Sequence, residues 1–254
     1  QLLHLFGFEE KAKEFHQAKE LNESHKFNII KAYVEYVNRL WGALTGLIVF
    51  ICTLLSIQYF KYNWKVFFFT FLGFIAVFFN AMLGAVVVNS NLIGGIVTAH
   101  FIAAFAAISF FIIAYIYTNN LSELKIQTKK ISIALILFIS IQVTIGAFVR
   151  ESYDSNYGII TLNQTIESLY PNLYYHGILG VIIMSLSILQ LIRNPKNTEY
   201  IKYTKIIVLL SIAQIIIGPL SLTESFLAIS KLLHISFGAG IYVLQFYICA
   251  SFLK

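Results

Sequence analysis

Three histidines stand inside long apolar stretches of the sequence, where ionisable side chains are rare and usually functional. His100, His176 and His234 each lie near one end of a predicted helix. Two neutral imidazoles on facing helices are a common way to hold haem iron. A zinc site would also need carboxylate or thiolate ligands, of which these stretches have few. The residue types therefore predict axial ligands of haem iron, and histidines hydrogen-bonded between helices are the alternative.

A small residue follows each of these histidines by one helical turn. Ala104, Gly180 and Gly238 stand four positions after His100, His176 and His234. Residues i and i+4 share one face of a helix, so each histidine has a bare patch beside it. A flat macrocycle that enters edge-first between helices needs such patches next to its axial ligands.

The histidines belong to an internal repeat. The segment Asn80–Gly84 ends sixteen residues before His100, and Gln214–Gly218 ends sixteen residues before His234, 134 residues further on. A third amide-x-x-x-Gly segment, Gln142–Gly146, lies on the helix before the loop that leads to the remaining histidine. Internal repeats indicate similar structural units. We expect two pseudo-symmetric four-helix bundles in parallel repeat, with one further helix before residue 1.

The composition identifies the class of protein. Of 254 residues, 58% are hydrophobic and 12% charged, and the mean hydropathy is +0.77. An average soluble domain is about 25% charged. This difference excludes a soluble globular enzyme, a disordered chain and a nucleic-acid partner, despite the net charge of +6. Seven apolar stretches are long enough to cross a bilayer: 40–60, 66–88, 93–117, 131–149, 173–192, 204–222 and 226–252. We expect an all-α integral membrane protein with seven visible transmembrane helices of an inferred eight.

Basic residues in short loops set the orientation of a membrane protein. Ten lysines and arginines lie in alternate loops and at the C-terminus, whereas the opposite short loops hold only Arg150. The basic loops and the C-terminus are therefore expected to be cytoplasmic, and residues 1–39 to lie outside. The seven stretches predict a multi-pass membrane protein, and the location expected for it, together with the resemblance described below, is the bacterial inner (plasma) membrane.

Asn38 stands where the repeat would place a fourth histidine, and asparagine is a poor iron ligand. Glu35 precedes it by one helical turn, so the two side chains share a helix face. We predict that Glu35 moves a proton or positions a substrate beside a reacting porphyrin. Arg39 and Arg150 are candidates to pair with haem propionates. A carboxylate and a snorkelling arginine at the membrane boundary are the alternative.

Six segments extend this pattern along the chain: Val34–Gly46, Leu83–Val88, Val97–His100, Gln142–Glu151, Leu233–His234 and Leu244–Tyr247. In their order and spacing they resemble haem A synthase, in the variant of Bacteroidetes-like bacteria, from about residue 33 to the end.

The resemblance implies an eight-helix enzyme that oxidises the C8 methyl of haem O to the formyl group of haem A, for cytochrome oxidase. It implies a C-terminal bundle over residues 119–254 in which His176 and His234 hold haem b. It also implies an N-terminal substrate-haem bundle over residues 1–118, with residues 1–39 as its outer loop and its first helix missing. There haem O lies against His100, and Glu35 matches the family's essential glutamate.

Two departures from the family stand out. Asn38 replaces the histidine of the family's Glu-x-x-His-Arg motif, so the second ligand of the substrate iron comes from elsewhere or is absent. Residues 1–39 contain no cysteine, whereas many members carry a cysteine pair in this loop.

The partners implied are haem O, haem O synthase, the cytochrome oxidase assembly, an unidentified electron donor and bilayer lipid.

Two other functions compete with this one. A di-haem b-type membrane cytochrome in quinone-linked electron transfer would share the histidines but would need no Glu35 and make no formyl product. A non-enzymatic haem-handling or transport protein is the other, although the parallel repeat disfavours inverted transporter folds.

Overall fold

The computed structural model describes residues 29–89, 95–118, 129–156, 161–193, 198–223 and 227–253. These residues form eight α-helices and two 3-10 helices, Ile57–Lys61 and Ser251–Leu253, with no strand among them. The α-helices are α1 (Ile29–Ser56), α2 (Trp64–Asn89), α3 (Ile96–Thr118), α4 (Lys129–Asn156), α5 (Leu162–Ser168), α6 (Asn172–Arg193), α7 (Thr198–Leu220) and α8 (Leu227–Ala250).

Seven of these helices, all except α5, are long and apolar enough to cross a bilayer. In hydrocarbon every backbone polar group needs a partner within the protein, and a continuous α-helix provides one. The chain is therefore an all-helical, multi-pass membrane protein, which confirms the predicted fold class. The inferred eighth transmembrane helix and the pseudo-symmetry stay predictions.

The helices α1 and α4 extend furthest past the apolar stretches that predicted them. The helix α1 begins at Ile29 and not near residue 40, and α4 continues to Asn156 and not to residue 149. Hydropathy detects only the part of a helix that lies in hydrocarbon. A helix satisfies its own hydrogen bonds, so it can continue past that boundary with polar residues.

The backbone divides into two compact units, Gln1–Thr45 and Gly46–Lys254. Of the first unit, the structure describes residues 29–45, the first part of α1. The helices α2 to α8 belong to the second unit. The division after residue 118 that the sequence suggests stays a prediction.

Within the second unit, α4, α6, α7 and α8 pack in a closed ring, in the order α4, α6, α7, α8 and back to α4. The helix α3 packs against α4 and α8 on one side and against α2 on the other. All four helices of the ring contribute to its apolar core, which consists of Leu135, Ile139, Ile183, Ile207, Ile241, Tyr242 and Ile248.

A buried polar cluster ties three helices of this ring together. The Gln190 amide on α6 donates to the Ser132 hydroxyl on α4 over 2.7 Å. The Gln245 amide on α8 donates to the Ser132 carbonyl over 3.2 Å. All three side chains are fully buried. Hydrogen bonds of this kind hold membrane helices together where apolar surface gives no net drive for association.

The helices α2 and α3 approach closely at Gly73. A β-carbon at this position would lie 2.6 Å from Cζ of Phe111 and 2.9 Å from both of its Cε atoms. The ring therefore packs directly on the glycine backbone. At Gly46 on α1, by contrast, a β-carbon would have open space around it.

Gly73→Ala should reduce the free energy of unfolding by about 1–3 kcal/mol, because the Phe111 ring must move to admit the methyl group. Gly46→Ala is the matched control and should be neutral or slightly stabilising, since alanine favours helix more than glycine does. Unfolding of both variants by a denaturing detergent in mixed micelles measures the difference. Equal stabilities for the two variants would contradict this packing.

Candidate functional site

Each of the three membrane histidines lies on the glycine of the preceding amide-x-x-x-Gly segment. A β-carbon at Gly146 would come within 2.8 Å of Cε1 of His176. The corresponding distances are 3.2 Å from Gly84 to His100 and 3.4 Å from Gly218 to His234. At Gly146 and Gly84 the segments therefore work through the absence of a side chain, because the imidazole lies too close to admit a β-carbon without moving, whereas the 3.4 Å at Gly218 is an ordinary van der Waals contact.

In two of the three copies, the amide of the segment holds the histidine helix from the other side. The Gln142 amide donates to the His176 carbonyl over 3.0 Å, and the Gln214 amide donates to the His234 carbonyl over 2.6 Å. In lipid, a bond between side chain and backbone of this kind fixes the register of two helices. The amide and the glycine thus act together to hold the histidine helix.

Gly180 and Gly238, four residues after these two histidines, do not have the surroundings that the sequence predicts. A β-carbon at Gly180 would lie 3.5 Å from the Gln142 amide nitrogen, and one at Gly238 would lie 3.1 Å from that of Gln214. The sequence suggests bare patches for a macrocycle at these glycines. The structure instead shows that they admit the neighbouring glutamine side chains.

His176 on α6 and His234 on α8 come together inside the four-helix ring. Their ring centres are 6.0 Å apart, and their planes are inclined by 53°. In both imidazoles Nδ1 is buried and has no hydrogen-bond partner among the described residues. The Gln142 amide nitrogen also lies 3.3 Å from Nε2 of His176. The two rings thus form a half-buried pair, and no carboxylate or thiolate of the described residues joins them to hold a metal ion.

This pair fits a haem better than an ion held by protein ligands alone. A metal about 2 Å from one nitrogen of each of two opposed imidazoles separates the ring centres by about 6 Å. The described residues contain no group of three or more histidine, cysteine, aspartate or glutamate side chains placed to hold a metal ion. Two imidazoles alone suit an iron whose remaining ligands belong to a porphyrin. His176 and His234 are the residues that would hold it.

His100 on α3 has a different environment from the pair. Its Nδ1 lies 3.0 Å from the backbone carbonyl of Asn80 on α2. A carbonyl can only accept, so Nδ1 carries the proton and Nε2 of the neutral ring keeps its lone pair. Metal-binding histidines are commonly oriented in this way, by a carbonyl on the other nitrogen. His100 is therefore prepared to bind a metal through Nε2.

A charged cluster lies on α4 and α8 next to the histidine pair. Arg150, four residues after Gly146, forms an ion pair with Asp154, and Lys231, three residues before His234, lies 3.5 Å from the same carboxylate. The Lys231 ammonium also lies 3.7 Å from the ring centre of Tyr153. The Lys231 side chain is 15% exposed. One carboxylate is thus shared by two cations.

Lys231 was not predicted as a site residue. The signal available in the sequence is its position one turn before His234, in the last transmembrane stretch. Its proximity to Arg150 depends on how α4 packs against α8. That register between helices is not evident from either segment alone.

Glu35, Asn38 and Arg39 lie on α1, in the unit Gln1–Thr45. Glu35 and Asn38 are one helical turn apart, as predicted. The side chains of Asn38 and Arg39 are exposed, and the side chain of Glu35 lies outside the described residues. Their roles beside a porphyrin stay predictions.

Comparison with protein families gives a match over residues 6–173 to the COX15-CtaA family, described as cytochrome oxidase assembly protein. The matched range covers more than half of the chain. It includes Glu35, His100 and Arg150 and ends three residues before His176. Searches among curated proteins and among solved structures find no match.

Gly146→Ala should lower the amount of haem that the purified protein retains. The new methyl group pushes the His176 ring out of its position, and a strain of about 1–3 kcal/mol weakens binding about tenfold. Gly177→Ala, at the residue next to His176, meets open space and should retain haem like the wild type. Extracted haem per protein measures both. Equal retention in the two variants would contradict the role of Gly146 as the seat of the ring.

Proposed function

The chain belongs to the COX15-CtaA family of cytochrome oxidase assembly proteins, and from this premise we propose that it is a haem A synthase. The reaction converts the C8 methyl of haem O into a formyl group, an overall four-electron oxidation of one carbon. Its product is haem A for cytochrome oxidase. The family supports a role in the assembly of that oxidase, and the identity of the reaction is our proposal.

The observation that carries the proposal is the presence of two unlike imidazole environments. His176 and His234 face each other at 6.0 Å between ring centres, whereas His100 stands on another helix with its Nδ1 proton held by a carbonyl. A pair of axial ligands suits a haem that stays bound and transfers electrons. A single oriented histidine leaves room at iron for a substrate porphyrin to enter and leave.

In the four-helix ring, His176 and His234 are the residues that would hold a resident haem b. When bound, this haem supplies one-electron transfer. Gly146 and Gly218 give the two rings their positions, and the Gln142 and Gln214 amides hold the helices in register. Arg150 and Lys231, which both contact the Asp154 carboxylate, are the cations that would pair with its propionates.

On the substrate side, His100 would bind the iron of haem O through Nε2 and so orient the porphyrin. Glu35 would take up protons as the methyl group is oxidised, and Arg39 would pair with a propionate. Asn38 stands where the family motif has a histidine, so we propose that the substrate iron has His100 as its only ligand from this motif pair. Single ligation favours the exchange of haem O for haem A.

The remaining partners follow from this reaction. Haem O synthase would supply the substrate, and cytochrome oxidase assembly would receive the product. With water as the oxygen source, the methyl group loses four electrons and four protons, and an electron acceptor would take the electrons. With the unidentified electron donor instead, dioxygen would be the oxidant. We also propose the bacterial inner membrane as the location, with the basic loops in the cytoplasm.

Co-expression of the natural gene with a haem O synthase, followed by chromatography of the extracted haems, tests the proposal. We expect haem A from the wild type and none from His100→Ala or Glu35→Gln, with the haem b absorption bands retained. His176→Ala and His234→Ala should lose those bands, because a buried iron loses one of its two axial ligands. Glu167→Gln, an exposed carboxylate on α5, is the matched control and should make haem A. Haems B and O alone in every sample would favour the di-haem cytochrome.

Lys231→Gln and Arg150→Gln should each lower the midpoint potential of haem b, on the order of tens of millivolts. A nearby cation stabilises the reduced haem, which carries one more negative charge, and the low dielectric of the membrane strengthens the effect. Lys202→Gln, an exposed cation at the start of α7, is the control. Redox titration of the haem b band measures the shift. The same potential in all three variants would contradict a contact between these cations and the haem.

A further inference from the structure

Glu151 on α4 joins this helix to the start of α3. One carboxylate oxygen accepts a hydrogen bond from the backbone N–H of Gly95, and the other accepts one from the Thr98 hydroxyl over 2.9 Å. Thr98 is 3% exposed. Both oxygens of a carboxylate from one helix are therefore used at the first turn of another.

The chemistry of this contact suits an ionised carboxylate. The first N–H groups of a helix have no partner within it, and the helix dipole favours a negative charge at that end. Hydrogen bonds to a charged acceptor are also stronger than bonds between neutral groups. Gly95 has a positive φ of 89°, a backbone conformation that favours glycine.

The contact of Glu151 with the first turn of α3 lies close to His100, the histidine of the proposed substrate site. Thr98 precedes His100 by two residues, and the ring of His100 lies on Gly84 of α2 with its Nδ1 at the Asn80 carbonyl. The neighbouring charges of α4 and α8 have another partner, since Arg150 and Lys231 pair with Asp154. The first turn of α3 is thus held by α2 on one side and by Glu151 on the other.

The helix α4 also carries Gly146, the seat of His176 in the pair. We propose that Glu151 is a positioning residue for the substrate site. It fixes the first turn of α3, and with it His100, to the helix that seats His176. This inference rests on the proposed function, because it assigns the substrate haem to His100.

The test compares Glu151→Gln, Glu151→Asp and Thr98→Val in the purified, haem-loaded protein, with Glu167→Gln as control. Glu151→Gln should speed hydrogen exchange of the first-turn amides of α3 by about tenfold. Haem A formation should fall about tenfold, the spectrum of bound haem O should change, and the haem b bands should not. Thr98→Val should give a smaller effect of the same kind. Glu151→Asp should recover part of the activity, because it keeps the charge.

A hydrogen-exchange rate of the first-turn amides in Glu151→Gln equal to that of the wild type would overturn the inference. A changed spectrum of haem b with an unchanged spectrum of haem O would also overturn it. If the wild type makes no haem A, the proposed function fails. In that case two measurements still test whether Glu151 positions His100. They are hydrogen exchange of the first-turn amides of α3 and the absorption spectrum of haem O added to the purified protein.

Discussion

One steric condition governs the helix pairs that carry the histidines: a glycine lies under each imidazole, and at Gly146 and Gly84 a β-carbon would displace the ring. Apolar surface does not drive helices together in lipid, so close backbone approach and polar contacts must do so. The glycine provides both the approach and the space for the ring. At His176 and His234 a glutamine amide then closes the contact on the opposite helix. The same contact therefore determines both how these helices associate and where the imidazole lies, so a change in one also changes the other.

The four-helix ring and the α2 and α3 pair both place a glycine under an imidazole, but the amide residue of the segment acts differently in each. In the four-helix ring the arrangement occurs twice, and the two imidazoles face each other. In the α2 and α3 pair, Asn80 has one methylene fewer than glutamine, and its backbone carbonyl, not its amide, contacts the histidine. That single contact fixes the tautomer of His100. Asn80 thus contacts the ring through its backbone, whereas the two glutamines contact the histidine helices through their side chains.

Much of this could be predicted from sequence, because the signals are local. Hydropathy over about 20 residues identifies a membrane span, and the spacing of amide, glycine and histidine can be read directly from the amino-acid sequence. The contacts that were missed join different helices. Gln142 against Gly180, Lys231 beside Arg150, and the carboxylate at the start of α3 all depend on the register of one helix against another. The ends of α1 and α4 were also missed, since polar turns outside the hydrocarbon carry no hydropathy signal.

The C-terminal end of α4 explains how one helix serves both histidine environments. Successive residues on an α-helix are rotated by about 100°, so Arg150 and Glu151 point in different directions although they are adjacent. Arg150 and Asp154 are separated by four residues and share the face that meets Lys231 of α8. Glu151 faces α3, where its carboxylate meets backbone and hydroxyl donors. The cations therefore accumulate beside the histidine pair, and the anion is used at the start of the His100 helix. A register shift of one residue in α4 would move Arg150 into the place of Glu151 or Glu151 into the place of Arg150, which is why the fixed spacing from Gly146 to these two residues matters for both sites at once.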